Sequence, residues 1–282
     1  MTSFLGIVQL HFRMKGAHFF SFGFDDSYIS KSLEGVKYRN LPPRFHQPIA
    51  SGNVSEVYTA ALGPLQESWV IAYRDSQDTN RYGCGNEVPS ELRHLLQQST
   101  PTPHLRVFMG PLLPANLQFP SSLNSFNHNS CFVSYMAWDS DFVRWRYIPD
   151  GLERALQSWL TPAGWKYGPP RTITWGPLNA HFAMSEYGEV DYQVGWSERC
   201  LSVPWPSLKE TIEEWNAEVG FQWSDLAYIS LSPTTNDEFI VIRNDGTWAG
   251  AVDDSNEEAL ESFVLNFFSR ARRKGRSRSK PS

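Results

Sequence analysis

The chain has 282 residues, a formal net charge of −5, 41% hydrophobic and 20% charged residues, a composition typical of a folded globular protein and not of a disordered one. Cys84, Cys131 and Cys200 are too few and too widely spaced for a disulfide framework or a thiolate zinc site, which favours a reducing compartment, the cytoplasm or the nucleus. No run approaches the ~20 apolar residues of a membrane span, so no membrane association is expected.

The first predicted unit covers about residues 5–52. Three short apolar runs are its expected strands: 5–6, 19–24 and 35–38. A helical pair, Phe45 and Ile49, follows them. Pro48 lies between these two residues, and a proline inside a helix removes a hydrogen bond, so the helix is expected to be short or absent.

The second unit, 53–100, and the third, 101–168, repeat this order more clearly. Their predicted strands are 58–62, 68–73, 81–84, 105–109, 131–135 and 143–147. Pro89 and Pro149 then open amphipathic helices, since proline is well tolerated in a first helical turn. The stretch 112–130 has neither helical nor strand periodicity and is expected to be a long surface loop.

The fourth unit, 169–222, and the fifth, 223–268, complete the series. Their predicted strands are 172–175, 181–184, 190–194, 227–231, 238–242 and 247–249. Asn244-Asp245-Gly246 predicts a tight hairpin turn. Ser255 with Glu258 three residues later predicts a capping box at the start of the last helix.

Two features recur across the units. A turn follows the first strand as Leu62-Gly63-Pro64, Met109-Gly110-Pro111, Trp175-Gly176-Pro177 and Leu231-Ser232-Pro233. An apolar pair four residues apart marks each helix: Phe45/Ile49, Leu92/Leu96, Leu152/Leu156, Leu208/Ile212 and Leu260/Val264. Such regular spacing predicts a repeat protein whose units bury their cores against one another.

The predicted fold is therefore mainly β with peripheral helices, as a β-propeller-like ring of about five βββα units in one domain, 1–268. An open βββα solenoid is the alternative. The rhythm resembles β-propeller repeat proteins of the WD and kelch kinds. It is closer to uncharacterised repeat proteins of filamentous fungi that share an L-G-P … D-G … P-x-x-L-x-x-x-L unit. The resemblance implies an interaction scaffold, although the Trp-Asp dipeptide of WD repeats and the double glycine of kelch repeats are absent.

No phosphate-binding, nucleophile-elbow, zinc-protease or calcium-loop motif occurs, so no catalytic residue, metal or cofactor is assigned. The seven histidines are scattered singly, and His181 is interpreted as structural. Among the carboxylates, Asp191 stands out because it lies within a predicted strand and not in a turn.

Tryptophans at strand ends are the candidate ligand-binding residues, because aromatic rings can stack sugars or anchor a peptide. With Asp191, the candidates are Trp69, Trp138, Trp175, Trp205 and Trp248. The competing interpretation is that these rings pack between neighbouring units. Trp159 and Trp215 occupy the apolar stripes of two helices and are expected in the core.

The C-terminal segment 269–282 is basic and is expected to be disordered. Its candidate contact residues are Arg272, Arg273, Lys274, Arg276 and Arg278. Seven basic residues from Arg270 onward leave −5 − 7 = −12 on residues 1–269, so only weak, salt-dependent nucleic-acid contact through the tail is expected.

The sequence thus favours a non-enzymatic interaction scaffold that binds a protein or peptide on the loop face of the propeller, helped by the insert 112–130. A carbohydrate-binding, lectin-like propeller is the alternative. A glycosidase that uses Asp191 is a more distant third, because such enzymes need paired carboxylates.

Overall fold

The computed structural model describes residues 18–113, 132–194 and 205–268. The expected strand at 5–6, nearly all of the insert 112–130 and the basic tail lie outside the described residues.

The described residues form five three-stranded antiparallel sheets and one two-stranded hairpin. Sheet 1 contains β1 (Phe19–Phe22), β2 (Tyr28–Ser32) and β3 (Gly35–Arg39), and sheet 2 contains β4 (Val54–Leu62), β5 (Trp69–Asp75) and β6 (Asn80–Cys84). Sheet 3 contains β7 (Arg106–Leu112), β8 (Val133–Trp138) and β9 (Val143–Arg146), and the small hairpin is β10 (Leu160–Thr161) with β11 (Gly164–Trp165). Sheet 4 contains β12 (Pro170–Trp175), β13 (His181–Ser185) and β14 (Val190–Gln193), and sheet 5 contains β15 (Leu226–Leu231), β16 (Phe239–Arg243) and β17 (Trp248–Ala251).

One helix follows each three-stranded sheet: α1 (Pro43–Ala50), α2 (Ser90–Gln98), α3 (Asp150–Trp159), α4 (Pro206–Ala217) and α5 (Glu257–Leu265). In every sheet the strand order follows the chain order, so each unit is a βββα meander. The expectation of a mainly β fold with peripheral helices is confirmed. None of the helices in the described ranges is long and apolar enough to cross a membrane.

The first unit differs from its prediction. The run predicted as its second strand is the first strand of sheet 1, β1, and the central strand is β2. The polar residues Ser30 and Lys31 obscured β2 in the sequence. In the structure Ile29 is fully buried, and the Lys31 ammonium group bonds to the Val57 carbonyl of sheet 2. Helix α1 exists despite Pro48 and has eight residues.

Each helix covers a core between two consecutive sheets. Four cores join sheets 1 and 2, 2 and 3, 3 and 4, and 4 and 5, each with the helix of the earlier unit. The fifth core joins sheet 5 to sheet 1, where Leu260, Phe263 and Val264 of α5 pack with Phe20 and Tyr28. A three-stranded sheet with one helix cannot bury both of its faces alone, so the units depend on their neighbours.

The helical pairs behave as predicted, since every member is buried except Ile49, which is half-buried. Trp159 and Trp215 are in the core, as expected. The hairpin turn at Asp245-Gly246 is confirmed, with Gly246 at a φ of 90°. The capping box at Ser255 is wrong: the Asp253 carboxylate accepts from the Ser255 N–H instead, and α5 starts two residues later.

Candidate functional site

The first strand of each sheet faces its counterparts in the two neighbouring sheets. We call β1, β4, β7, β12 and β15 the inner strands. Contacts run from β1 to β4, from β4 to β7, from β7 to β12 and from β12 to β15, and β15 contacts β1.

Hydrogen bonds between sheets show that neighbouring inner strands align at equivalent positions. The Leu62 N–H donates to the Ser21 hydroxyl at 2.9 Å, and the Leu231 N–H donates to the Thr174 hydroxyl at 2.8 Å. Ser21 directly precedes Phe22, and Thr174 directly precedes Trp175. Phe22 and Trp175 occupy in their own units the position that Leu62 and Leu231 occupy in theirs. The inner strands therefore run in the same direction, and their ends lie at the same two faces of the molecule.

The recurrent glycine after the inner strand makes room for the next unit. A Cβ atom at Gly23 would lie 2.8 Å from Leu62, and one at Gly63 would lie 3.1 Å from Met109. At Gly110 it would lie 1.7 Å from the Trp175 indole nitrogen, which itself donates to the Ser134 hydroxyl at 2.9 Å. Leu62, Met109 and Trp175 thus pack on the glycine of the preceding unit.

A cavity of about 480 Å³ lies between the five inner strands, and we call it the channel. We call the residue before each recurrent turn the end-of-strand residue: Phe22, Leu62, Met109, Trp175 and Leu231. The channel lining includes, from each inner strand, the residues one and three positions before it. The inner layer nearer the turns is Ser21, Ala61, Phe108, Thr174 and Ser230, and the second layer is Phe19, Thr59, Arg106, Thr172 and Tyr228. Alternation along a strand places residues of both layers on one strand face.

Basic side chains gather at the end of the channel where the inner strands begin, which we call the basic end: His18, Arg106 and Arg171. Glu186 is the one acidic residue in the described lining. Arg171 lies where the pairing of β12 with β13 shifts between Pro170 and Thr172. Tyr58 and Ala227 occupy the same kind of shift in β4 and β15, so a bulge recurs at this level in three sheets.

Burial disfavours the charged forms of the basic side chains at the basic end. Burial lowers the pKa of Arg106, and the charge of Asp139 acts in the opposite direction. Burial alone lowers the pKa of Arg171, whose side chain stays accessible to solvent within the concave mouth. Burial also lowers the pKa of His18; a hydrogen bond with the Phe267 backbone acts in the opposite direction, and the nearby Lys31 charge adds to the lowering. Each group would be stabilised by a negative charge placed beside it.

The opposite end of the channel meets a different surface. The connections between first and second strands lie there, at 23–27, 63–68, 113 with 132, 176–180 and 232–238, and with Leu112 at the end of β7 they form the surface that we call the turn face. Four large apolar residues on it are exposed: Phe24, Leu112, Phe132 and Leu178. Leu178 and Asn179 both have positive φ, at 61° and 62°. A leucine in this conformation costs about 1–2 kcal/mol.

Four of the five candidate tryptophans are buried. Trp69 packs edge-on against Phe45, with ring centroids 5.1 Å apart, and Trp138 stacks on Phe108 at 5.2 Å. Trp175 is 2% exposed and Trp205 is fully buried, with its indole N–H donating to the Pro177 carbonyl at 3.1 Å. These positions favour packing between units over a stacking platform.

Trp248 is 36% exposed, on the edge strand β17, away from the other candidates. Asp191 lies within β14, as predicted, and its carboxylate is 2.9 Å from Nε2 of the buried His181. His181 Nδ1 lies 3.1 Å from the Asn179 carbonyl oxygen. Both ring nitrogens therefore face acceptors, and the histidine ties two strands of sheet 4 to the turn face. The structure does not bring Asp191 and the tryptophans together into one pocket.

The tail candidates, Arg272, Arg273, Lys274, Arg276 and Arg278, lie outside the described residues. Within the ranges that the structure describes, no group of three or more metal-ligating side chains is placed to hold a metal ion. No family model, curated protein or solved structure that was compared with the chain matches it.

Arg106 and Arg171 were not singled out from the sequence. Both begin an apolar strand that ends at a recurrent turn, Arg106 three and Arg171 four residues before the end-of-strand residue. A charged residue near the start of an inner strand in two repeats is the signal that could have marked them, because repeats place corresponding strands side by side.

Proposed function

We propose that the five sheets form a closed, β-propeller-like ring with the inner strands around the channel. The contact of β15 with β1, and the core that α5 forms with sheet 1, support this arrangement. In the alternative open solenoid, the first and last sheets would lie at opposite ends and would not share a core. A ring also leaves no unprotected end among the inner strands.

We further propose that the protein is a non-enzymatic interaction module whose turn face binds a protein partner. The observation that carries this proposal is that four exposed large apolar side chains lie on that one face. Phe24, Leu112, Phe132 and Leu178 come from three different units and share the same kind of connection. Exposed apolar patches rimmed by polar residues are typical of protein-binding surfaces.

The charge of the turn face indicates the chemistry of the partner. The described connections contain five acidic residues and no lysine or arginine: Asp25, Asp26, Glu67, Asp237 and Glu238. The Asp26 carboxylate forms an ion pair with Arg39 at 3.3 Å, so part of this negative charge is compensated. A segment that combines lysine or arginine with large apolar side chains is the partner that this surface fits best.

The strain at Leu178 supports a functional reading of this face. The side chain is 47% exposed, so its burial in the protein does not offset the free-energy cost of the left-handed backbone conformation. Unfavourable backbone conformations persist where function uses them. A partner that covers Leu178 would supply the burial that the free protein lacks.

A lectin-like function has less support, because stacking of sugars needs accessible rings and four of the five candidate tryptophans are buried. The glycosidase hypothesis has less support too, since the Asp191 carboxylate is held by His181 and does not line the channel.

Selection from a random 12-residue peptide library, followed by fluorescence anisotropy on the selected peptides, tests the proposed function. We expect the selected peptides to combine basic and large apolar residues. The double variant Phe24→Ser/Leu178→Ser should weaken their binding at least about tenfold, the scale of losing a buried apolar anchor.

Leu33→Ser is the matched control, because Leu33 is similarly exposed, at 51%, but lies in the β2–β3 connection on the opposite face. Equal binding by the double variant and the wild type, or selection of acidic peptides only, would contradict the proposal.

A further inference from the structure

We propose that the basic end of the channel is a binding site for a small organic anion, a carboxylate or a phosphate monoester. Its anionic group would lie at Arg106 and Arg171, and its body would extend between the inner strands. This site lies at the end of the channel away from the turn face, and its test does not depend on a protein partner.

The two guanidinium groups have unused capacity to bind an anion. Arg106 Nη1 donates to the carbonyl oxygens of Pro103, at 3.0 Å, and Leu105, at 2.8 Å, which fixes its position but does not neutralise its charge. The Arg171 guanidinium group makes no hydrogen bond or ion pair with any residue in the described ranges. A guanidinium group binds carboxylate and phosphate oxygens in a bidentate manner, so both chemistries fit.

Acidic residues near the site do not supply the missing charge. The Asp139 carboxylate, which acts on Arg106 from a distance, accepts hydrogen bonds from Thr102 and Ser140. Glu186 lines the channel but forms no ion pair with either arginine within 4.0 Å. Lys31 lies close enough to lower the pKa of His18 and is itself affected by the charge of Arg106, but its ammonium group pairs with Glu56 at 3.9 Å and therefore adds little to the charge of the site. The basic end therefore carries a net positive charge within a concave, partly desolvated site, which concentrates anions.

The size of the channel selects a small molecule. A volume of about 480 Å³ falls in the range of roughly 300–1,000 Å³ that is typical of small-ligand pockets. Phe19 and Phe108 provide apolar surface beyond the charged end, and Thr59 and Thr172 provide hydroxyl groups. The end nearest the turn face is lined by Phe22, Leu62, Met109, Trp175 and Leu231, so the anionic group belongs at the other end.

Isothermal titration calorimetry with three probes of one shape tests the site: phenyl phosphate, phenylacetate and the neutral 2-phenylethanol. We expect at least one of the two anions to bind the full-length protein with a sub-millimolar Kd. The neutral alcohol should bind at least about tenfold more weakly, which is the scale of one charge-assisted contact. The stronger of the two anions identifies the ligand as a carboxylate or a phosphate monoester.

Two variants with opposite expected effects on anion affinity make the test more specific. Arg171→Gln should weaken anion binding at least about tenfold, and Glu186→Gln should strengthen it. Arg144→Gln is the matched control, since Arg144 is exposed on β9 and does not line the channel. If Arg171→Gln does not fold, the two single variants Arg106→Gln and Glu186→Gln test the proposal instead, the first by weaker and the second by stronger anion binding. Two results would overturn the proposal: no binding of either anion at a probe concentration on the order of 10 mM, or equal binding by Arg171→Gln and the wild type.

Discussion

The hydroxyl of Tyr228, in the fifth sheet, bonds to both backbone polar groups of Phe20, in the first sheet. It accepts from the Phe20 N–H at 2.7 Å and donates to the Phe20 carbonyl at 2.8 Å. These residues are 208 positions apart in the chain. One side chain therefore takes the place of the ladder hydrogen bonds that a neighbouring strand would supply, and it joins the two ends of the repeat series.

The first prediction concerns this joint. Tyr228→Phe removes the hydroxyl and leaves the Phe20 N–H and carbonyl without it, so we expect a loss of about 1–3 kcal/mol in the free energy of unfolding. Chemical denaturation followed by tryptophan fluorescence measures this loss. Tyr187→Phe is the control, because Tyr187 is 69% exposed, and it should change stability by less than about 0.5 kcal/mol. Equal effects of the two substitutions would remove Tyr228 from its proposed role.

The second prediction is a pH dependence from the same residue. Burial raises the pKa of Tyr228 from its ordinary value of 10.0 to about 12. Folding thus favours the neutral phenol, and this contribution is complete below the unfolded pKa and is lost as the pH rises through about 12. Each pKa unit corresponds to about 1.4 kcal/mol. Between pH 10 and 12 the wild type should lose stability more steeply than Tyr228→Phe, and parallel pH profiles would contradict the prediction.

The third prediction tests why glycine recurs after the inner strands. An alanine at Gly110 would bring its Cβ atom to 1.7 Å from the Trp175 indole, so the ring must move and its bond to Ser134 is broken. We expect Gly110→Ala to cost about 1–3 kcal/mol or more. At Gly83 the nearest atom would lie at 3.4 Å, an ordinary contact. Gly83→Ala should therefore be neutral or slightly stabilising, as thermal unfolding of both variants can show.

The fourth prediction separates stability from binding at the turn face. Asparagine tolerates the left-handed conformation better than leucine, so Leu178→Asn should stabilise the protein by about 0.5–1 kcal/mol. The same substitution at Leu33, which has no positive φ, should give no such gain. If the turn face binds a protein segment, Leu178→Asn should weaken that binding as it stabilises the fold. A destabilised Leu178→Asn protein would show that the leucine has a structural role instead.

Much of the architecture follows from local patterns in the sequence. The helical pairs, such as Leu152 and Leu156, and the turn at Asp245-Gly246 depend on residues close together in the chain, so their periodicity and turn chemistry suffice to predict them. The recurrent glycine was visible as a pattern. Its physical reason, the approach of a residue from the next unit, was not visible.

The functional candidates depend on contacts between strands or between units, which the sequence does not encode locally. Trp175 lies at a strand end, where a solvent-facing position and an inter-sheet position look alike, and it is buried by sheet 3. Asp191 stood out as a carboxylate within a strand, and its partner His181 lies on the neighbouring strand. The presence of both Arg106 and Arg171 at one end of the channel follows from the order of the sheets around it. Propensity and periodicity carry no information about that order.

Hydrogen exchange of the inner strands, measured by mass spectrometry, tests the proposed closed ring most directly. Terminal units of an open array fray at low free energy, whereas a ring has no terminal unit. If the ring is closed, peptides covering β1 and β15 will exchange with the same free energy as those covering β7, in the middle of the chain. Exchange of β1 or β15 at a clearly lower free energy than β7 would contradict a closed ring.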